Sequence, residues 1–149
     1  VRRRWLDENG EVLRDWAPVD SKKGFLPLRL KLGQLVRVEV KLSTRGRGNL
    51  NNVAVVDALP GGMEVENPRL STSAPRHRQR FAEPDRVEFL DDRVVLFASA
   101  NGFAQTYSYS LRAISQGDFS LPPVQATCMY DSALSSMHGS GALKIEPNQ

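Results

Sequence analysis

The segment from Gln105 to Ile114 constrains the fold of this chain more than any other. Its apolar residues alternate with polar ones, and the apolar set is Tyr107, Tyr109, Leu111 and Ala113. Because successive side chains of a strand point to opposite faces, the alternation predicts a strand that is buried on one face. A polar turn with Gly117 follows, and then an apolar run opened by Pro122-Pro123, which belong at a strand start or a sheet edge. Together these features predict a β-sandwich hairpin.

The length and composition of the chain are those of one folded domain. With 149 residues and 40% hydrophobic content, the chain can enclose a single core, so we predict one domain over residues 1–149. It begins at Val1 rather than Met, and we expect it to be a domain excised from a much larger multidomain protein. Its 20 basic residues are offset by 17 acidic ones, and this excess is too modest to indicate a polyanion-binding protein by itself.

Cys128 is the only cysteine of the chain. This excludes an internal disulfide and a zinc site built from several thiolates. Val124 and Ala126 share its predicted strand face, which favours a packed thiol over a reactive one. No apolar stretch approaches the ~20 residues that a membrane-spanning helix needs.

Further patterns predict about nine strands in an antiparallel, immunoglobulin-like sandwich, because no segment is long enough to carry parallel crossovers. Asn9-Gly10 predicts an N-terminal hairpin, since both residues tolerate positive φ. Val36 to Leu42 alternates like a strand, and Asp91-Asp92-Arg93 indicates a second tight hairpin. The continuous apolar run Val53–Val56 suits a strand covered on both sides.

The remaining segments are less regular. Asn67 to Asp85 lacks periodicity and is interpreted as a long surface excursion. Ser132 to Met137 is expected to form one helical turn, and Ala142 to Ile145 a last short strand.

The sequence offers little that would support catalysis or metal binding. His138-Gly139-Ser140-Gly141 brings a base and a hydroxyl together, but the spacing is wrong for a nucleophile elbow and is typical of a flexible loop. His77 and His138 are the only histidines, too few for a metal site without converging carboxylates. We therefore predict no catalytic, cofactor-binding or metal-binding residues.

A basic cluster formed by Arg76, Arg78 and Arg80 is the sharpest charge feature, and four more cations could extend it: Lys22, Lys23, Arg45 and Arg47. A solvated loop is the simpler interpretation. Nucleic-acid binding would require exposed aromatics among the charges, and only Phe81 lies near. Docking of a protein partner by Arg76, Arg78 and Arg80 stays open as a third interpretation.

Several motifs in order resemble the C-terminal macroglobulin-like domain of bacterial α2-macroglobulins. They are Leu59-Pro60-Gly61-Gly62-Met63, Arg86 to Phe97, Tyr109 to Ala113, Gly117 with Phe119, Leu121-Pro122-Pro123, and Met129-Tyr130. Each motif alone is a common β-sandwich feature, but their order and spacing are specific. The resemblance extends from about Val1 to Ile145.

This resemblance implies a large periplasmic parent protein, often anchored at the inner membrane, that traps foreign proteases and has no catalytic activity of its own. It implies partners of three kinds: other domains of the parent, target proteases, and a penicillin-binding protein or operon-encoded partners. In thioester-bearing members the final domain packs over the thioester domain and shields the reactive bond. This chain has no Cys-x-Glu-Gln motif, and Cys128 is not the thioester cysteine.

Met129 and Tyr130 match the Met-Tyr pair that ends the family's penultimate strand and faces the thioester domain. A tyrosine suits such an interface because its ring excludes water while its hydroxyl bonds at the rim. Alternatively, Tyr130 caps the core of its own domain. A different function class, an adhesion or cell-wall stalk module of a bacterial surface protein, is also open, because surface repeats use the same Leu-Pro-Gly and Gly-x-Phe features.

Overall fold

The computed structural model describes residues 1–16, 26–46, 48–66 and 81–148. Within these residues the chain forms thirteen strands and no helix. The strands are β1 (Arg2–Leu6), β2 (Val12–Arg14), β3 (Leu28–Lys31), β4 (Leu35–Leu42), β5 (Leu50–Ala58), β6 (Met63–Val65), β7 (Arg86–Phe89), β8 (Arg93–Ala100), β9 (Gln105–Ala113), β10 (Gly117–Leu121), β11 (Val124–Cys128), β12 (Asp131–His138) and β13 (Gly141–Glu146). None of the described residues forms a helix of the length and apolarity that a membrane span requires.

The strands form three sheets that share one core, so the predicted all-β sandwich is confirmed. The sheet orders are β2-β1-β4-β9-β6, β10-β13-β3 and β12-β11-β5-β8-β7. Neighbouring strands are antiparallel except β13 and β3, which are parallel. The expected count of about nine was low, because several strands have only three or four residues, too few to show a period.

Strand β9 forms as its alternation predicts. Its apolar side chains are buried and its polar ones half-buried. It pairs with β4 over eight residue pairs, from Leu35↔Arg112 to Leu42↔Gln105. The predicted hairpin with the following run is wrong: β10 pairs with β13, and the N–H groups of Ile114 and Ser115 bond to the Gly62 carbonyl as the chain crosses to another sheet.

Both hairpins predicted from turn residues are present. In the first, the Asp7 carboxylate accepts hydrogen bonds from the N–H groups of Asn9 and Glu11 at 2.8 Å, and Gly10 has a φ of 84°. In the second, β7 and β8 pair across the turn, and the N–H of Leu90 donates to the Arg93 carbonyl at 2.9 Å. Turn chemistry therefore predicted these two connections correctly.

Two local predictions need correction. Ser132 to Met137 lies in strand β12 and not in a helical turn. In the run Val53–Val56, Val53 and Val55 are buried but Ala54 and Val56 are half-buried, so β5 faces the core with one side and is partly covered on the other. A short segment carries too few residues to separate these possibilities by periodicity.

The glycines of the Leu59-Pro60-Gly61-Gly62 motif accommodate Phe119. A Cβ added to Gly62 would lie 2.6 Å from the Phe119 ring, and one added to Gly61 would lie 2.7 Å from it. Gly62 also has a φ of +78°, which side chains rarely adopt. This motif and Gly117-x-Phe119 therefore form one packing unit that joins two sheets.

The outer side of β4 is less exposed than its sequence indicated. Glu39 is fully buried, where its carboxylate accepts hydrogen bonds from Arg4 at 2.7 Å and from Arg37 at 3.1 Å. The two guanidinium groups stack in turn on the rings of Trp16 and Phe81, 4.6 and 5.7 Å from their centroids. Two cations thus compensate the burial of the Glu39 charge.

Candidate interaction surface at the β11–β12 turn

Met129 and Tyr130 form the two-residue connection between β11 and β12, since the flanking residues Cys128 and Asp131 are paired. Their side chains are 51% and 84% exposed. The interpretation that Tyr130 caps the core of its own domain is therefore wrong. A tyrosine this exposed has its ring available to another surface.

A backbone irregularity in β5 holds the turn. Asn52 has a φ of 59°, in the left-handed region, at a point where the register with β8 shifts between Leu50 and Val53. The Asn52 carbonyl accepts a hydrogen bond from the N–H of Met129 at 2.8 Å, and the Cys128 thiol lies 3.6 Å from the Asn51 carbonyl. Asparagine tolerates this conformation better than most residues do, so the local sequence suits the bond that fixes the turn.

A second irregularity follows the turn in β12. Thr127 pairs with Ser135 but Cys128 pairs with Asp131, so the residues between Asp131 and Ser135 have no opposite partner on β11. The Asp131 carboxylate accepts a hydrogen bond from the N–H of Ala133 at 3.2 Å. Bulges re-aim side chains and end regular pairing, so Met129 and Tyr130 stand clear of the sheet.

Phe103, which the sequence analysis missed, lies at the same end of the sandwich. It is 82% exposed and sits between β8 and β9, where its N–H donates to the Asn101 side chain at 2.8 Å. The Asn101 carbonyl accepts a bond from the N–H of Thr44, also at 2.8 Å. A single aromatic beside Asn-Gly carries no pattern, so only the position of its loop reveals it.

The most buried polar group lies between the two five-stranded sheets. The Asp57 carboxylate accepts hydrogen bonds from the Arg3 guanidinium and the Tyr109 hydroxyl. Arg3 also donates to the carbonyls of Pro122 and Gly139, at 2.6 and 2.7 Å. Burial raises the pKa of Asp57 to about 6, although the Arg3 charge acts in the opposite direction.

His138 joins the same cluster through its ring. Its Nδ1 accepts a hydrogen bond from the N–H of Arg3 at 3.0 Å, and burial lowers the pKa of the imidazole. The nearby Asp57 carboxylate is held by Arg3 and Tyr109 and not by the imidazole. The described residues around His138 and Ser140 thus form a structural joint, with no hydrolase-like contact between base and carboxylate.

The other predicted site residues are outside the description or without a cluster. Arg76, Arg78 and Arg80 fall outside the described residues, as do Lys22, Lys23 and Arg47, so the basic loop stays a prediction. Arg45 is described and exposed. In the described ranges, no three His, Cys, Asp or Glu side chains lie together as metal ligands.

Comparisons with known proteins agree on one family. The family model of the bacterial α2-macroglobulin MG10 domain matches residues 1–132. The α2-macroglobulin of Rickettsia conorii is 26% identical over 133 residues, which cover 88% of this chain and 6% of that protein. The structure of the Y1175G mutant of Salmonella α2-macroglobulin is similar with a TM-score of 0.74 and 28% identity, over 98% of this chain and 9% of that one.

A fourth comparison shows the fold alone. Escherichia coli α2-macroglobulin activated by porcine elastase gives a TM-score of 0.76 at 24% identity, over 97% of this chain and 13% of that one. This chain therefore spans a small fraction, between 6% and 13%, of the proteins named above. The family match over residues 1–132, together with the shared fold, shows that the chain belongs to the MG10 domains of bacterial α2-macroglobulins.

Proposed function

We propose that this chain is a non-catalytic interaction domain of a bacterial α2-macroglobulin that traps foreign proteases, and that its β11–β12 turn docks on a neighbouring thioester-type domain. The observation that supports the docking is the exposure of Tyr130, 84% on a turn held by the Asn52 carbonyl. The relative from Escherichia coli is described as activated by porcine elastase, which supports the protease-related part of the proposal.

The energetic reason for such a turn is that an aromatic ring gains most when it is buried at an interface. A tyrosine buries about 150–250 Å² of surface, and burial of apolar area stabilises by about 25 cal/mol per Å². Met129 adds a flexible apolar side chain that adapts to an irregular partner. Because the hydrogen bond from Met129 to Asn52 already orders the turn, little conformational entropy is lost on docking.

The proposal includes a location and further partners. The parent is periplasmic and associates with the inner membrane, and it meets target proteases and a penicillin-binding protein or operon-encoded partners. This part is supported by family membership alone. The same membership favours the macroglobulin over the adhesion or cell-wall stalk module, since the matching relatives are named α2-macroglobulins.

The test is a trapping assay on the full-length parent with Tyr130→Ala. Trapped protease is measured as activity that cleaves a small substrate but resists a protein inhibitor too large to enter the trap. We expect the variant to trap less protease, because the turn no longer holds the neighbouring domain in its native position. Phe89→Ala, on β7, is the control, since Phe89 is a 42% exposed aromatic at the other end of β8.

Two outcomes would overturn the proposal. Full trapping by a parent that lacks residues 1–149 would remove the functional role of the domain. Equal trapping by Tyr130→Ala and Phe89→Ala, both at the wild-type level, would remove the role of the turn.

A further inference from the structure

Two of the exposed apolar side chains differ from the rest of the described surface. Tyr130 is 84% exposed and Phe103 is 82% exposed, whereas the next in rank, Leu26 and Met137, are each 62% exposed. Large rings are rarely left so open to water without a partner. Their positions relative to one another are therefore informative.

Strand pairing brings the two rings to the same end of one sheet. Ala100, the last residue of β8, pairs with Leu50 of β5, and Cys128, the last residue of β11, pairs with Val53 of the same strand. Strand spacing and rise separate Ala100 and Cys128 by about 14 Å. Phe103 and Tyr130 follow these residues closely, so both rings fit within one interface of about 800 Å² per partner.

Both rings lie on connections that are fixed by backbone hydrogen bonds. The Asn101 side chain and the Thr44 N–H hold the β8–β9 connection, and the Asn52 carbonyl holds the β11–β12 turn. Arg45, which is exposed, adjoins the first connection through Thr44. The surface is thus apolar and ordered, with a cation at its edge and the Asp131 carboxylate beside the turn.

We propose that Phe103, Met129 and Tyr130, here named the aromatic end, form one docking surface for a neighbouring domain of the same parent polypeptide. This rests on the proposed function and extends it to Phe103 and to the β8–β9 connection. The partner surface is apolar, with a carboxylate placed to meet Arg45. Aromatic side chains at the centre of an interface contribute most of its binding energy.

The length of the related proteins is what favours an occupant from the same polypeptide. The chain covers 6% of the relative from Rickettsia conorii and 9% of the Salmonella structure, so most of such a parent lies outside this domain. Covalent linkage gives a tethered neighbour a high effective concentration. A patch of three side chains can then be occupied without the area that a separate protein would need.

Photo-crosslinking in the full-length parent tests the proposal. We would replace Phe103, Tyr130 or, as the control, Phe89 by p-benzoylphenylalanine, irradiate the native protein and map the linked peptides. Phe103 is so exposed that the larger ring fits without repacking. We expect positions 103 and 130 to link within the same molecule to one and the same neighbouring domain, and position 89 to give no link to that domain.

Each other outcome decides against part of the proposal. Links from 130 but none from 103, or links from the two positions to different domains, would overturn the aromatic end and leave the proposed function standing. Absence of links from both would overturn both proposals. Links to a second copy or to an unrelated protein would show that the occupant is wrong.

A second measurement does not depend on the unnatural residue. In the native parent, Phe103→Ala is expected to raise deuterium uptake in the facing domain several-fold, because the interface opens more often. Phe89→Ala should leave that uptake unchanged. Equal uptake in the two variants would contradict the role of Phe103.

Discussion

Arg3 of β1 and Asp57 of β5 form an ion pair between the two five-stranded sheets, and both side chains are almost completely buried. The pair ties the N-terminal strand to the opposite sheet, while the other Arg3 hydrogen bonds reach the connections that follow β10 and β12. A buried charge that loses its partner costs far more than an exposed one. This joint therefore controls how the sandwich responds to mutation and to pH.

Removing the cation of this pair should be strongly destabilising. We expect Arg3→Met to lower the free energy of unfolding by about 3–5 kcal/mol at pH 7, because the Asp57 charge is left buried without compensation. Chemical denaturation of the purified chain measures this. The exposed neighbour supplies the control, and Arg2→Met should change stability by less than about 0.5 kcal/mol. If the two variants were equally stable, the joint would have no special role.

The pH dependence of Asp57 has a defined sign. Its folded pKa, about 6, lies above the ordinary value of 3.8, so between these values the folded state binds more protons than the unfolded state. The contribution of Asp57 to stability is then present below about pH 4 and is lost as the pH rises through 6, on the order of 3 kcal/mol in total.

The comparison with Asp57→Asn isolates this contribution. The difference in unfolding free energy, wild type minus variant, should fall as the pH rises from 4 to 7. His138 acts in the opposite sense, because its lowered pKa removes stability as the pH falls, but it titrates in both proteins. A difference that rises with pH would mean that the attraction of Arg3 outweighs burial.

Gly62 should not tolerate a side chain. Its φ of +78° and the 2.6 Å approach to Phe119 combine backbone strain with a steric clash. We expect Gly62→Ala to cost more than Gly33→Ala, because Gly33 has a similar φ of +83° but open space around it. The strain alone is about 1–2 kcal/mol, and thermal or urea unfolding of both variants separates it from the clash. Equal costs would show that the Phe119 ring moves away freely.

Asn52 is expected to hold the β11–β12 turn through its backbone conformation. Asn52→Gly keeps the left-handed φ of 59° and should be close to neutral in stability. Asn52→Val should destabilise by about 1–3 kcal/mol, since a β-branched residue is strained there. Amide exchange at Met129, whose N–H bonds to the Asn52 carbonyl, should rise in the valine variant alone. Unchanged exchange would mean that the turn is held by other contacts.

Some elements follow from local patterns because their causes are local. The alternation around Tyr109 and the Asn9-Gly10 turn each depend on a few neighbouring residues, and both form as predicted. Short strands such as β2 and β6 and the irregular β12 could not be predicted, since their pairing depends on partners far along the chain.

The candidate site was predictable in one part only. The Met129-Tyr130 motif pointed to its own turn, but its exposure and its bond to Asn52 are properties of the folded chain. Phe103 left no signal, because its proximity to Tyr130 arises from β8 and β11 pairing with the same strand.

By itself, the amino-acid sequence determined the all-β class, the two hairpins and the buried face of β9, because side-chain periodicity and turn preferences act over a few residues. Only the tertiary structure decided that β10 joins β13, that Arg3 meets Asp57, and that two exposed aromatics share one end of the sandwich. Those contacts connect residues many positions apart, and their free energy depends on burial and pairing that exist once the sheets have packed together.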